Sequence, residues 1–588
     1  MDAINLRISQ LVAELIQHSQ SGESAHEIFS PGDEGRDTGE MFELLDSAAE
    51  ALTSIRDQVN VSLQNAILEI KSRRNQLTPI YHLPPEIYSR IFEFACTRRT
   101  TTRGRILQVS KLWREIVLNT PRLWTRINAN SAELIAACVL RSKNAPLEID
   151  LPDDTSECDP EDDNGVFATA CTPHEQLFKT QMALLMPQIH RWQSLALENV
   201  RARHFWPKFC IAAPWLEKLA LTLTPDVPVS AEDPPPETPR DIFAGVTPHL
   251  RSLRLERIYI PLTSSIYTGL EALSVQSVDL SDFTANEFLD VLRACPRLES
   301  LWLNWIIMLG PTHESQPIVE LPRLSTIDIN SMSSRAIRHI LSSIDPPSLE
   351  WLSVRTNLED EETIYDALPF DMIANFKRTV ENIHIGRLEL ILDAFPGGTS
   401  SFTIAGGVGD IYPALSLRSM SPSRDSLLDG LFPHILPILG SQALTALSVD
   451  GLPASDAALL ADFHQLIVQG SEIRHLEFKR CCPSFLLPLR RVSPDTDKLL
   501  CPKLSELSIS SSASIDGQEL IEMVRARAAI LKNAQDGDAS ALQKLHIASR
   551  YPLDEEVVRT FKELVPDFSH TFSHTPPSGL DDSMDLSE

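Results

Sequence analysis

Cysteine pairs at metal-binding spacing are missing from this 588-residue sequence. Its nine cysteines (Cys96, Cys138, Cys158, Cys171, Cys210, Cys295, Cys481, Cys482 and Cys501) are scattered and form no CxxC, and the vicinal pair at 481–482 has no histidines at zinc-finger distance. An odd set of unpatterned thiols reads as a reduced, intracellular protein, cytoplasmic or nuclear, rather than a disulfide framework. Basic charge is short too: 52 Lys and Arg face 80 Asp and Glu, a formal net charge of −28. A field of that sign repels phosphate backbones and anionic lipid heads, so nucleic acid and membrane surfaces are disfavoured as partners. No run of 18 apolar residues occurs, so nothing reads as a bilayer-spanning helix. The opening MDAINLRISQLVAELIQHSQ lacks the basic start and unbroken apolar core of a secretory signal. Aromatics are sparse at 6%, and 22 glycines stand against 41 prolines, a balance that implies many short, punctuated segments.

What is present is enough apolar residue to fold. At 43% hydrophobic and 22% charged the chain resembles ordinary globular proteins. Its length exceeds the roughly 250–300 residues of a single core, so it holds several domains or an array that grows lengthwise. Residues 1–17 carry Ile4, Ile8, Leu11, Leu15 and Ile16 on one helical face; 18–40 read as a polar linker. Over 41–76, Leu45, Leu52, Ile55, Val59, Leu63, Ile67 and Ile70 mark a long amphipathic helix, with either a coiled-coil partner or a neighbouring domain to cover it. Residues 129–165 read as a connector ending in an acidic run, 225–240 as a Pro-rich insertion, and 569–588 as an acidic tail.

From about 185 to 548 one phrase recurs: apolar, two variable, apolar, one variable, apolar. It opens at Trp192-x-x-Leu195-x-Leu197 and returns at Leu216, Leu250, Leu270, Leu298, Leu324, Leu349, Val380, Leu444, Ile473, Leu504 and Leu542. The spacings run from 20 to 38 residues, apart from one gap of 64, where SFTI or LSL could hide a further copy. Helical patterns fill the gaps. One such phrase means nothing, but a long series is the signature of a leucine-rich repeat, one strand plus one helix per unit. The expected fold is α+β overall: a small helical domain preceded by a long helix, then an α/β repeat solenoid over 166–568 with a curved parallel sheet and outer helices.

The small domain is an apolar island at 78–128. His82-Leu83-Pro84-Pro85-Glu86 opens a helix, since proline suits the first turn and Glu86 the positive end of the dipole. Ile87, Ile91, Phe92 and Ala95 line one face; the Arg- and Thr-rich stretch 97–105 reads as an exposed loop; Leu107, Val109, Trp113, Ile116 and Val117 mark a second helix over 106–117. Leu83-Pro84-x-Glu86-Ile87, Ile91-Phe92, Val109-Ser110-x-x-Trp113-Arg114 and Pro121-x-Leu123-Trp124 resemble the F-box motif. The layout is similar to the F-box families expanded in mushroom-forming fungi.

The resemblance implies a non-catalytic substrate receptor of a Skp–cullin–F-box ubiquitin ligase. Leu83, Pro84, Ile87, Ile91, Phe92, Val109 and Trp113 would then supply the Skp-type adaptor's contact surface and the core beneath it. Ser110 stands where the family has Cys, and the loop at 97–105 departs from the family pattern. A ligase-independent repeat scaffold with a degenerate F-box is therefore the alternative.

In a repeat sheet the residues between the leucines face the concave side. There Arg254, Trp302, Trp351 and Arg355, with Asp328 among them, offer the aromatic and arginine anchors that dominate interfaces, and they are the candidate target-binding set. His384, His475 and His546 read as solvated strand residues too far apart to share a metal. No catalytic group, metal site or cofactor is indicated.

Overall fold

The computed structural model describes residues 38–572, except 97–100, 129–130, 152–171, 202–208, 225–240, 312–316, 360, 370–376, 378, 381–382, 396–397, 409–412, 429–430, 440–443, 454–456, 491–499, 512–515 and 534–540. The expected short helix at 1–17, nearly all of the linker at 18–40, the acidic run, the Pro-rich insertion and the tail from residue 573 lie outside the described residues, while 569–572, expected to open that tail, end the last strand. The chain divides into two compact units. One takes in residues up to Ala95 and Thr102–Val117, and the other Cys96–Thr101 and everything from Leu118.

The first unit is helical. α1 (Thr38–Gln76) has 39 residues, about 58 Å at 1.5 Å per residue. Arg73 and Arg74 occupy its last turn, where the dipole favours cations. α2 (Pro85–Cys96) starts on proline with Glu86 in its first turn. It buries Tyr88 and Phe92, four residues apart and so on one face. The phenol of Tyr88 donates to the Ile80 carbonyl at 2.5 Å.

The stretch from Thr101 is not a loop, as its threonines and Gly104 imply, but helix α3 (Thr101–Val109). Arg103 and Ile106 are buried there, so tertiary burial overrides the weak propensities of Thr and Gly. Nor is 106–117 one helix. The chain breaks at Ser110, whose Oγ accepts from the Trp113 amide at 3.2 Å, capping α4 (Lys111–Asn119). A hydroxyl in that place satisfies an otherwise orphaned N–H, which gives the serine a role that a merely small residue would lack.

The second unit is a large, mostly parallel sheet. Its strands are β1 (Arg126–Ile127), β2 (Leu147–Leu151), β3 (Trp192–Arg201), β4 (Lys218–Thr224), β5 (Ser252–Glu256), β6 (Ala272–Thr284) and β7 (Ser300–Leu309). β8 (Val319–Glu320) and β10 (Ile344–Asp345) form a separate parallel pair; between them in sequence lies β9 (Thr326–Asn330), followed by β11 (Trp351–Asn357). Then come β12 (Arg387–Ala394), β13 (Ser400–Gly407), β14 (Leu415–Ser421), β15 (Ala446–Asp450), β16 (His475–Lys479), β17 (Glu506–Ser511), β18 (Lys544–Ser549) and β19 (Asp567–Phe572).

Register follows the leucines. Leu219, Leu253, Leu273, Leu301, Ile327 and Leu352 pair across successive strands, as do Leu221, Leu255, Val275, Leu303, Ile329 and Val354. All are buried. A slip of one residue would turn every leucine to water, so the pattern itself pins the register. Left-handed residues recur just beyond the leucine pairs: Arg257, Ser331 and Arg480 follow the last position of β5, β9 and β16, and Ser277 and Trp305 break β6 and β7 opposite one another before their pairing resumes, all with φ between 49° and 57°. Their amides need not be lost at the turn. Those of Arg257, Ser331 and Arg480 donate to Gln276, Arg355 and Ser510 carbonyls at 2.9, 2.9 and 2.8 Å. Helices fill the connections, as in Ala285–Arg293, where Thr284 and Glu287 form a reciprocal capping box and Phe288, Leu289 and Leu292 are buried.

Three expectations are corrected. The sheet begins before Trp192: within the supposed connector, Ser131 caps a helix over Ala132–Arg141, and Leu147, Ile149 and Leu151 point inward from β2. Simple alternation, without the two-residue spacer, hides this strand from a search for the longer phrase. The phrase at Val380 is no strand: Val380 is helical, Ile383–Ile385 carry no regular structure, and His384 lies off the strands. Instead β13 runs antiparallel between β12 and β14, while β11 pairs with β14 and β12 with β15. SFTI is thus the antiparallel middle strand of a local meander, whereas LSL, with Leu415 and Leu417 opposite Leu352 and Val354 of β11, continues the leucine register as a further copy.

Candidate functional site

α2 sorts its apolar residues by face. Tyr88, Phe92 and Trp113 form an aromatic cluster, with ring centroids 5.7 Å (Tyr88–Phe92), 6.1 Å (Tyr88–Trp113) and 4.9 Å (Phe92–Trp113) apart. Phe92 and Trp113, expected at the contact surface, therefore belong to the interior of the unit; Phe92 is 1% exposed. The opposite face carries Ile87 (46% exposed), Ile91 (40%) and Phe94 (79%), a stripe at helical steps of four and three. Pro84 is exposed, Leu83 half-buried, and Val109 on α3 is 51% exposed. Three large apolar side chains in water along one short helix are an unusual expense for a monomer. Phe94 and Tyr88 escaped the sequence reading, although their offsets of seven and one from Ile87 were there to count.

On the sheet, the residues between the leucines form an open face. One register row reads Arg254, Ser274, Trp302, Asp328, Ser353 across β5, β6, β7, β9 and β11; the next reads Glu256, Gln276, Asn304, Asn330, Arg355. Adjacent strands lie about 4.8 Å apart, so Trp302 and Asp328 are immediate neighbours and Arg254 stands roughly 10 Å from Trp302. Arg254, Gln276, Trp302, Asn304, Asp328 and Asn330 line a groove of about 490 Å³. Trp351, one residue pair along β11, leans its ring on Trp302 at 5.5 Å and 33°. The two tryptophans make one ledge, which leaves Trp302 41% exposed.

All five sequence-named residues thus meet in one patch, with different duties. Asp328 is half-buried, and burial raises its pKa above the usual carboxylate range despite a hydrogen bond from Ser353 and the charge of Arg355. Arg254 lies 3.6 Å from Glu256. Asn304 buries its Oδ1 without a hydrogen-bond partner among the described residues. Asn304, Asn330 and Gln276 were not singled out from the sequence, because a neutral amide among strand residues carries no signal of its own.

A second groove, of about 560 Å³, lies on β12 and β15–β19 and is lined by Arg387, His475, Glu477, Glu506, Lys544 and His546 among others. Its charges answer one another. His475 meets Glu506 at 3.0 Å, Arg387 and Lys479 reach Glu477 at 3.3 and 3.1 Å, and His546 bonds Ser569 at 2.8 Å. Register explains the pairing, since His475 sits opposite Glu506 and Glu477 next to Ser448 and Ser508.

The described residues contain no group of three His, Cys, Asp or Glu able to hold a metal ion. Burial pushes the thiols of Cys481 and Cys501 up to about 11 and about 12, which makes them poor nucleophiles. No described helix is long and apolar enough to cross a membrane.

Comparison with known families gives one match: the F-box-like family, over residues 80–130. It spans the helices that carry the exposed stripe and ends in the second unit, where Leu123 and Trp124 are buried and Arg141 covers the Trp124 ring at 4.8 Å. No curated protein matches the chain.

Proposed function

With an F-box-like domain at residues 80–130 as the premise, we propose that this protein is a non-catalytic substrate receptor of a Skp–cullin–F-box ubiquitin ligase. The F-box-like domain docks on a Skp-type adaptor, and the sheet, read as a leucine-rich-repeat solenoid, holds a protein target on its open, concave face. The observation that carries the reading is the stripe Ile87, Ile91, Phe94 inside the matched segment: exposed apolar side chains on a short helix whose other face is already satisfied by Tyr88 and Phe92. Pro84 and Val109 extend that surface, and Leu83 sits half-buried at its start. The helix at Thr101–Val109 replaces the second half of the 97–105 loop on which the degenerate-domain alternative leaned, residues 97–100 lying outside the described residues. The parallel strands in leucine register support the repeat reading, and the Trp302–Trp351 ledge with Arg254, Asp328 and Arg355 supplies the target contacts. A receptor of this kind works in the cytoplasm or nucleus.

Co-purification with a Skp-type adaptor tests the proposal, comparing the wild-type chain with Ile87→Asp/Ile91→Asp. Both side chains are partly exposed, at 46% and 40%, so the change disturbs the fold far less than one at Phe92 would, and circular dichroism of the double variant checks that it is folded. Stoichiometric adaptor binding that the double variant loses is expected. A folded wild-type chain that captures no adaptor would leave the sheet as a ligase-independent scaffold.

A further inference from the structure

We propose that the groove between Trp302 and Asp328 takes a lysine or arginine side chain of the target, so that the target is selected by a basic residue. The inference rests on the open face being the target-binding surface and adds the chemistry of what binds there.

Three features of the groove agree on a cation. Its floor offers acceptors short of donors: the buried Asn304 Oδ1 has no hydrogen-bond partner among the described residues, and the Asp328 carboxylate is desolvated beyond what Ser353 and Arg355 restore. An incoming phosphate or carboxylate would bring more acceptors and place a like charge beside Asp328. An ammonium or guanidinium brings three or five N–H donors and no acceptor. The wall is aromatic, since Trp302 is 41% exposed above Asp328, and a cation over an indole face is attracted by the ring quadrupole. Register sets the two opposite one another on adjacent strands, so one side chain can meet the ring and the carboxylate together.

The second groove gives the contrast. There Glu477 and Glu506 already hold Arg387, Lys479 and His475, so a basic ligand would have to displace internal partners. Here the resident cations are Arg355 beside Asp328, an exposed side chain free to swing toward solvent, and Arg254 at the groove's far strand, drawn to Glu256 at 3.6 Å. The net charge of −28 steers basic partners toward the molecule from a distance.

The test pans the full chain, immobilised by an affinity tag, against phage-displayed random dodecapeptides. Wild type is expected to enrich Lys or Arg at one aligned position by about tenfold, the scale of one cation–π contact joined to one ion pair. Asp328→Asn, which keeps the shape, should lose that preference, Asp328→Lys should exchange it for Asp or Glu, and Arg355→Ala should keep or sharpen it. Enriched peptides that depend on Trp302 but show no basic position, or a basic preference that survives Asp328→Asn, would overturn the inference and leave the open-face reading standing. No enrichment by wild type, or enrichment indifferent to Trp302→Ala, would overturn both.

Discussion

Ile91 and Phe92 are adjacent in sequence and opposite in consequence. Phe92 is 1% exposed, with its ring 4.9 Å from that of Trp113 and 5.7 Å from that of Tyr88. Truncating such a phenylalanine to alanine costs about 3–5 kcal/mol, comparable with the whole stability that a helical unit of this size commands. Ile91 is 40% exposed, so Ile91→Ala gives up about 1 kcal/mol of burial. As an adaptor anchor, though, it would lose about 2 kcal/mol of binding, roughly 30-fold in Kd. Titration calorimetry against a Skp-type adaptor reads the second effect, and hydrogen exchange at the amides of α2 and α4 reads the first. Phe92→Ala should lose exchange protection and affinity together, while Ile91→Ala keeps protection and loses affinity. Native exchange in Phe92→Ala would refute the burial argument, and unchanged affinity in Ile91→Ala would refute the docking face.

Arg527 is buried and donates to the carbonyls of Leu489, Leu500 and Cys501 at 3.3, 2.9 and 2.8 Å; Arg527→Met removes all three bonds, leaving the Cys501 carbonyl only its bond from the Leu504 amide, and should cost about 3 kcal/mol, seen as a lower urea midpoint. Gly451 has φ +80°, and an added Cβ would fall 2.0 Å from the Leu392 carbonyl oxygen, whereas Gly269, at φ +70°, has open space around it. Gly269→Ala should therefore cost only the left-handed penalty of about 1–2 kcal/mol, and Gly451→Ala clearly more, by thermal unfolding. Asp328 holds its proton more tightly folded than unfolded, because burial raises its pKa. Stability from this group thus falls as pH climbs from the ordinary aspartate range through the raised value, and is level above it. Asp328→Asn should accordingly be more stable than wild type near pH 7, with the difference closing near pH 3 in paired melting curves.

Most of the strand positions were legible because burial on one face of a strand imposes a period of two, and a leucine pattern repeated along the chain leaves little freedom of register. The exceptions have two causes. β2 and β13 bury alternate residues without the LxxLxL spacer, so a search for the phrase passes over them. β12 does carry the spacing, as Ile385-x-x-Leu388-x-Leu390, five residues beyond the Val380 phrase that was read in its place, and nothing local tells it to skip its predecessor and pair with β15. The helix at Thr101–Val109 was hidden for the opposite reason: its residues favour a loop, and only the burial of Arg103 and Ile106 in the assembled unit decides otherwise.

By itself the sequence determined the outline of the protein: a helical, F-box-like segment, a leucine-patterned sheet and an acidic net charge. Those follow from composition and spacing, which act residue by residue. Tertiary structure alone decided which apolar residues are interior and which are surface. Ile91 and Phe92 are both strongly hydrophobic in the sequence, and folding separates them: Phe92 packs its ring 4.9 Å from that of Trp113 and is 1% exposed, while Ile91 is left 40% exposed. It also decided that Trp302, Asn304 and Asp328, separated by as many as 26 positions in the chain, share one groove. Strands join them side by side at about 4.8 Å, and the desolvation that gives the carboxylate its appetite for a donor exists only once its neighbours have closed around it.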